Sequence, residues 1–250
     1  MIITLLTDFG DFYPGVMKGV IYSITPEAKI VDITHSVETH NIFQGAFLLY
    51  HSYKYFTRGI HVAVVDPGVG GKRRAIVVQT KNHYFIAPDN GIVYPSASED
   101  GIVKIFEIDN RVSKFVGDLS HTFHGRDIFA PCAALLLKGD FRFLNEIDEL
   151  KKMDIFDYKI VERKIRCRVA FVDRFGNIVT NLPMEAVKSA KGFNISGIEF
   201  PIVRTYEEVA VGEPLALIGS FKTIELSVRE GSASDLLKIR RGIFEMEVLE

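Results

Sequence analysis

The sequence has few of the groups that would mark it for metal binding, disulfide stapling, nucleic-acid binding or membrane insertion. Its two cysteines, Cys132 and Cys167, sit in apolar or strand-like stretches with no CxxC pairing, so neither a disulfide framework nor a zinc site is expected. The seven histidines show no HxH or HExxH spacing, which weakens a metal reading, although Asp8, Asp66, Asp89 and His124 could in principle hold a divalent ion. A formal net charge of -2, with scattered basic residues, offers no electrostatic footprint for a nucleic acid and favours small-molecule chemistry. No window reaches the roughly 18 apolar residues that a bilayer span requires. The opening MIITLLTDFG has no basic leader, so a soluble, cytoplasmic protein is expected. There is also no GxGxxG. The one glycine-rich loop lacks the Walker pattern, because Asp66 and Arg73 stand where glycine and Ser or Thr would be needed, so a phosphoanhydride substrate is disfavoured.

What the chain does have is 250 residues, 47% of them hydrophobic, enough for one large or two modest domains. The first half alternates: strand 2–7, helix from Pro14 to about Ile24, strand 29–33, helix 41–55 and strand 60–66, a βαβαβ pattern. A hairpin (75–80 and 83–87), a turn at Pro88-Asp89-Asn90-Gly91, a strand (102–108) and a helix (127–138) follow. After the charged connector DELKKMD the composition shifts to short strands (159–172, 198–204, 214–218, 223–229, 243–249). This places a second, mainly β domain at 157–250 after an α/β domain at 1–156.

Within this frame the chemistry gathers at strand ends. Residues 60–65 deliver Asp66 onto the loop Pro67-Gly68-Val69-Gly70-Gly71, which ends in Arg73-Arg74, and open α/β sheets place ligands at such carboxyl ends. Arg73 can fold back toward Asp66; the plainer reading is a turn with a solvated basic end. Asp8 and Asp11 follow the first strand at the same edge, either to hold a ribose diol or an ammonium group, or merely to cap the next helix. In Thr122-Phe123-His124-Gly125-Arg126-Asp127, His124 is the titrating candidate, and a carboxylate partner would fix its tautomer and favour its cation. It could equally be a structural histidine, while Arg126 and Asp127 suit a local ion pair. In the second half Asp173 and Asn177 lie on a turn, where Asn177 either shapes the turn or reads a purine edge. Gly219-Ser220 and the Glu230-Gly231-Ser232 loop supply further backbone donors or ordinary caps.

Together TDFGD, MKG (17–19), DITH (32–35), VVDPGVGG with Arg73-Arg74, APDNG, TFHGRD, DRFGN with TN, and GS followed by EGSAS resemble, in order along nearly the whole chain, the S-adenosylmethionine hydroxide adenosyltransferases, relatives of the fluorinases and chlorinases. The resemblance implies a Rossmann-like α/β domain, a carboxyl-terminal β-barrel and a homotrimer with sites between one copy's first domain and a neighbour's second. It implies an adenosine-forming S-adenosylmethionine hydrolase without cofactor or metal, in which water or hydroxide attacks the ribose C5′ in line. Asp66, Arg73 and His124 would activate the nucleophile; Asp8 would take the ribose hydroxyls and Asp11 the methionine ammonium. Phe123 would line the substrate, and His40 falls where the fluorinase has a tryptophan packed on it. Asp173 would add to the ammonium site, Asn177 would read adenine with backbone from Val228 to Glu230, and Ser220 would meet the methionine carboxylate. Gly125 replaces the halide-binding serine of the fluorinase and His124 its tyrosine, Phe221 replaces a carboxylate-binding arginine, and a long insertion is missing. The first two and the missing insertion argue against a halogenase, the first alternative. A non-catalytic S-adenosylmethionine or adenosine sensor and a metal-dependent hydrolase are the other rivals.

Overall fold

Runs of β-branched and apolar residues become strands buried on both faces when helices cover both sides of a sheet, and the first half is built this way. In the computed structural model, which describes residues 1–250, this half contains β1 (Ile2–Thr7), α1 (Phe12–Ile24), β2 (Ile30–Thr34), α2 (Ile42–Ser52), β3 (Gly59–Val64), β4 (Ala75–Thr80) and β5 (Tyr84–Pro88). It continues through α3 (Tyr94–Asp100), β6 (Ile102–Ile108), α4 (Ala130–Leu137) and β7 (Leu144–Ile147). The strands form one seven-stranded sheet in the order β2-β1-β3-β5-β4-β6-β7. β1 pairs in parallel with β2 and β3, and β3 with β5, so the carboxyl ends of these strands share one edge. β4, β6 and β7 run antiparallel and extend the sheet on one side.

Ile3, Leu5, Ile60, Val62 and Val64 pack on one face against Met17 and Ile21 of α1 and the apolar α4. α2 lies on the other face, where Gly45 is in such close contact that a Cβ there would come within 2.9 Å of Ile92 and 3.2 Å of Val65. The expected helix 41–55 ends at Ser52 and tightens into a 3₁₀ turn at Tyr53–Tyr55. The expected helix 127–138 begins earlier, as a π turn over Gly125–Phe129 that leads into α4. α3 is an addition: YPSASED has no apolar periodicity to announce it, only a proline in its first turn.

Contacts divide the chain into two compact units, Met1–Met153 and Asp154–Glu250. The second holds β8 (Lys159–Val161), β9 (Lys164–Val172), β10 (Ile178–Pro183), β11 (Gly192–Ile195), β12 (Ile198–Pro201), β13 (Pro214–Ile218), β14 (Thr223–Val228), α5 (Ala233–Leu237) and β15 (Ile243–Leu249). The strand order is β12-β11-β15-β9-β10-β14-β13, with β8 paired to β9. A bridge between Ile202 and Ala216 brings the two ends of the sheet together, so the unit is a nearly closed barrel around Phe193, Phe200, Ile165, Ile178, Leu182 and Leu226. The expected strand 159–172 is a hairpin, because Glu162 turns the backbone at φ 55. No helix is long and apolar enough to cross a membrane.

Candidate active site

Asp66 stands two residues beyond the end of β3, at the edge where the parallel strands finish. The loop after it can close only because Gly70 takes φ +74 and lies so near the His121 carbonyl oxygen that a Cβ would come within 2.3 Å. This closure returns Arg73 to Asp66: the guanidinium Nε donates to Oδ1 and Oδ2 at 3.1 and 2.9 Å, and Nη2 donates to Oδ2 at 2.5 Å. The same Nη2 lies 2.7 Å from Nδ1 of His124. Two side chains of one loop and a histidine 51 positions beyond Arg73 thus form one contact chain, with Asp66 and Arg73 only 5% and 13% exposed.

The partner of His124 corrects the expectation of a carboxylate that favours the cation. A guanidinium has only N–H donors, so Nδ1 accepts, and the neutral ring carries its proton on Nε2. Burial and then the Arg73 charge push the His124 pKa below its ordinary value, outweighing the pull of Asp66 and Asp127. The imidazole is therefore neutral at pH 7 and offers a donor, Nε2–H, rather than a base.

His124 and Asp66 line a cavity of about 280 Å³ with Phe9, Tyr13, Val64, Val69, Thr122, Phe123 and Gly125. Phe9, Tyr13 and Phe123 meet edge to face, with centroids 5.0 to 6.3 Å apart. Their closeness explains Gly125, where a Cβ would lie 2.9 Å from Phe9, 3.1 Å from Phe123 and 3.2 Å from the Met17 sulfur. A serine hydroxyl cannot be placed there without moving a ring. Phe9 and Tyr13 escaped the sequence reading because only TDFGD's carboxylates drew attention; their place beside Phe123, one from the turn after β1 and one from the start of α1, is tertiary.

Asp11 is the N-cap residue of α1 but its side chain makes no capping bond, so the capping role weighed for it is not what its carboxylate does. Asp8 is held from one side: its Oδ2 accepts the His40 backbone N–H at 2.9 Å, with His40 exposed in the left-handed region at φ 64. Arg126 and Asp127 form the expected local ion pair, and Asp127 also accepts the Ser120 N–H. Asp89 is clamped by Arg74 and the Lys151 N–H. Nowhere do three or more His, Cys, Asp or Glu side chains gather in a way that could hold a metal ion, so the set Asp8, Asp66, Asp89 and His124 is not a ligand cage.

In the second unit Asp173 shapes its own turn, accepting the N–H groups of Phe175 and Asn177 and the Asn177 side chain. Asn177, Val228 and Glu230 line a groove of about 760 Å³ with Phe175, Tyr206, Glu207, Arg229, Gly231 and Ser232. Ser220 is not in this set; it is exposed in the turn between β13 and β14. Tyr206 and Glu225 are functional candidates that the sequence reading passed over. The Tyr206 hydroxyl donates to Glu225 at 2.6 Å and stands 3.4 Å from the Asn177 amide. A signal for Tyr206 was present in Thr205-Tyr206-Glu207-Glu208, whose Thr and Glu form a capping box.

Comparison with known proteins fits this arrangement. A profile of the SAM hydroxide adenosyltransferase N-terminal domain matches residues 3–145, and one of the corresponding C-terminal domain matches residues 167–243. A relative from Methanocaldococcus jannaschii named (R)-S-adenosyl-L-methionine hydrolase is 38% identical, covering 95% of this chain and 92% of its own. A fluorinase from Actinopolyspora mzabensis is 22% identical over 97% of this chain and 95% of its own. A solved structure of an uncharacterized conserved protein from Thermotoga maritima superposes with a TM-score of 0.87 at 36% identity, covering the whole of both chains.

Proposed function

Because the chain belongs to the SAM hydroxide adenosyltransferase family, we propose that it hydrolyses S-adenosyl-L-methionine, of the (R) configuration at sulfur, to adenosine and L-methionine. The observation that carries this reading is the Asp66–Arg73–His124 chain, whose Asp66 and His124 line an otherwise largely apolar cavity.

The reaction forms a bond from the water oxygen to the ribose C5′ and breaks the C5′–S bond. The electron pair goes to sulfur, methionine leaves as a neutral thioether and one proton is released. A sulfonium cation meeting a hydroxide-like nucleophile loses charge in the transition state, so an apolar, water-poor cavity favours the step. His124 holds the nucleophilic oxygen through Nε2–H. Arg73 keeps that tautomer in place and fixes Asp66, which takes the proton as the C5′–O bond forms and the water becomes acidic. Holding oxygen, carbon and sulfur in line contributes on the order of 7 kcal/mol to lowering the barrier. Asp8, whose Oδ1 remains for a ligand, takes the ribose diol, and the uncapped Asp11 carboxylate takes the ammonium group. Asp173, Asn177, Val228, Glu230 and Ser220 serve the site of a neighbouring copy in a homotrimer, which light scattering on the purified protein tests. No cofactor enters this scheme.

The decisive experiment supplies each sulfonium epimer of S-adenosylmethionine in turn and follows adenosine and methionine by chromatography, with and without chloride. Adenosine from the (R) epimer is expected. A wild-type protein that binds but never turns over would leave only the sensor reading, and a halide-dependent 5′-halonucleoside would reinstate the halogenase.

A further inference from the structure

Two motifs of the sequence, MKG and DITH, take no part in the cavity, yet the structure joins them. Lys18 Nζ donates to Asp32 Oδ2 at 2.5 Å, and Asp32 Oδ1 lies 3.1 Å from Nε2 of His35. The other ring nitrogen, Nδ1, is 2.9 Å from the hydroxyl of Thr7, the last residue of β1. The Thr7 oxygen also accepts the N–H of Phe9 at 3.3 Å. A carboxylate faces Nε2, so a ring proton on that nitrogen leaves Nδ1 to accept the Thr7 O–H. Burial pushes the Asp32 carboxyl up, but the hydrogen bond from Lys18 and the adjacent His35 ring outweigh it and hold the group below its ordinary value, so it stays an anion.

The backbone repeats the connection. The Gly10 N–H donates to the His35 carbonyl at 3.0 Å, the Val37 N–H to the Thr7 carbonyl at 3.3 Å, and the His40 N–H to the Asp8 carboxylate at 2.9 Å. The turn that carries Asp8, Phe9 and Asp11 is thereby stapled to the loop after β2. Thr7 is fully buried and cannot reach a ligand, so this relay acts only through the turn.

We propose that His35, braced by Asp32 and Lys18 and acting through Thr7, is a positioning residue that sets Asp8 and Asp11 at the spacing a ribose diol and an ammonium group require. This rests on the substrate reading above for what the two carboxylates hold. Loss of the relay therefore weakens binding and leaves the Asp66–Arg73–His124 chemistry intact.

The test compares Thr7→Val, which keeps the buried shape and removes the hydroxyl, with Thr7→Ser, which keeps the hydroxyl. Thr7→Val is expected to raise KM for S-adenosylmethionine about tenfold with kcat within about twofold, and Thr7→Ser to restore most of the loss, as expected for one or two lost hydrogen bonds. Should Thr7→Val fold poorly, Asp32→Asn at a half-exposed position gives the same direction with about a threefold rise. An unchanged KM, a fall confined to kcat, or a Thr7→Ser protein as impaired as Thr7→Val overturns the proposal. Hydrogen exchange at the Phe9, Gly10 and His40 amides separates it from the substrate reading. If wild type fails to turn over, that reading alone falls. The relay then stands if exchange accelerates in Thr7→Val, and falls if it does not.

Discussion

The two ends of the parallel strands in the first unit each hold a buried histidine kept neutral, and they differ in what the neutrality is for. At the amino end His61 is fully buried: Thr4 donates to its Nδ1 at 2.8 Å and its Nε2–H donates to His83 Nδ1 at 3.0 Å. The same His83 nitrogen accepts the Gly59 N–H at 3.1 Å, and the His61 ring stacks on Phe85. Burial, then the neighbouring His83, pushes the His61 pKa down to about 3. At the carboxyl end burial likewise leads for His124, but Arg73 comes second and only one ring nitrogen is engaged within the protein. A depressed histidine pKa is thus no mark of a catalytic site. The distinguishing features are an unused nitrogen on a cavity wall and a cation that dictates which nitrogen it is.

The strongest probe of this contrast is removal of each histidine. His124→Ala should lower kcat about a thousandfold, and Asp66→Asn by a similar factor, as the loss of a proton acceptor or hydrogen-bond donor in the transition state does. His61→Phe should leave kcat within about twofold while the protein loses stability, because Thr4 and His83 lose partners. Equal losses of turnover at both ends would show that burial rather than placement matters.

Acid separates the two ends next. The unfolded chain takes up a proton at His61 near pH 6.5, whereas the folded protein refuses it until about pH 3, so stability is complete above 6.5 and declines as pH falls through that window. Between pH 7.5 and pH 5 the loss from His61 is about 2 kcal/mol, read as a shift in the urea midpoint, and His61→Phe should flatten it. A pH-independent midpoint in wild type would contradict the sealed, neutral pair.

A smaller effect is expected on the pH–rate profile. Since His124 acts in its neutral form and its pKa is lowered, the acid limb of kcat/KM should lie below pH 6.5. Arg73→Gln removes the second cause of that lowering, so the limb of the residual activity should move to higher pH; movement to lower pH would refute the assigned tautomer. The smallest change tests the second unit, where Tyr206→Phe cuts the bonds to Glu225 and Asn177 and should raise KM by about threefold or less without altering the pH limb.

The strands of the first unit were readable because both faces are buried and β-branched runs have few alternatives, and Asp66 could be placed at a strand end for the same reason. The barrel was harder. β10 (IVTNLP) carries an asparagine and ends in proline, β11 (GFNI) is only four residues long and opens on glycine, and they hold their places through pairing with β9, β14 and β15 rather than through local preference. Of the candidate site, Asp66, Arg73 and His124 were each visible as residue types in suitable loops. Phe123 entered only through the family resemblance, and its contact with Phe9 and Tyr13, like the Tyr206–Glu225 pair, was not visible, since nothing in the spacing reports contact.

Residue order alone settled where backbone could turn and where charge could stand: glycines at 70 and 125, a carboxylate after β3, and a run of motifs that belongs to one family. Folding settled which groups face one another, and with that the protonation of His61 and His124. A pKa depends on the surrounding dielectric and the nearest charge. Arg73 became the neighbour of His124, across 51 positions of chain, only when the sheet and its loops closed.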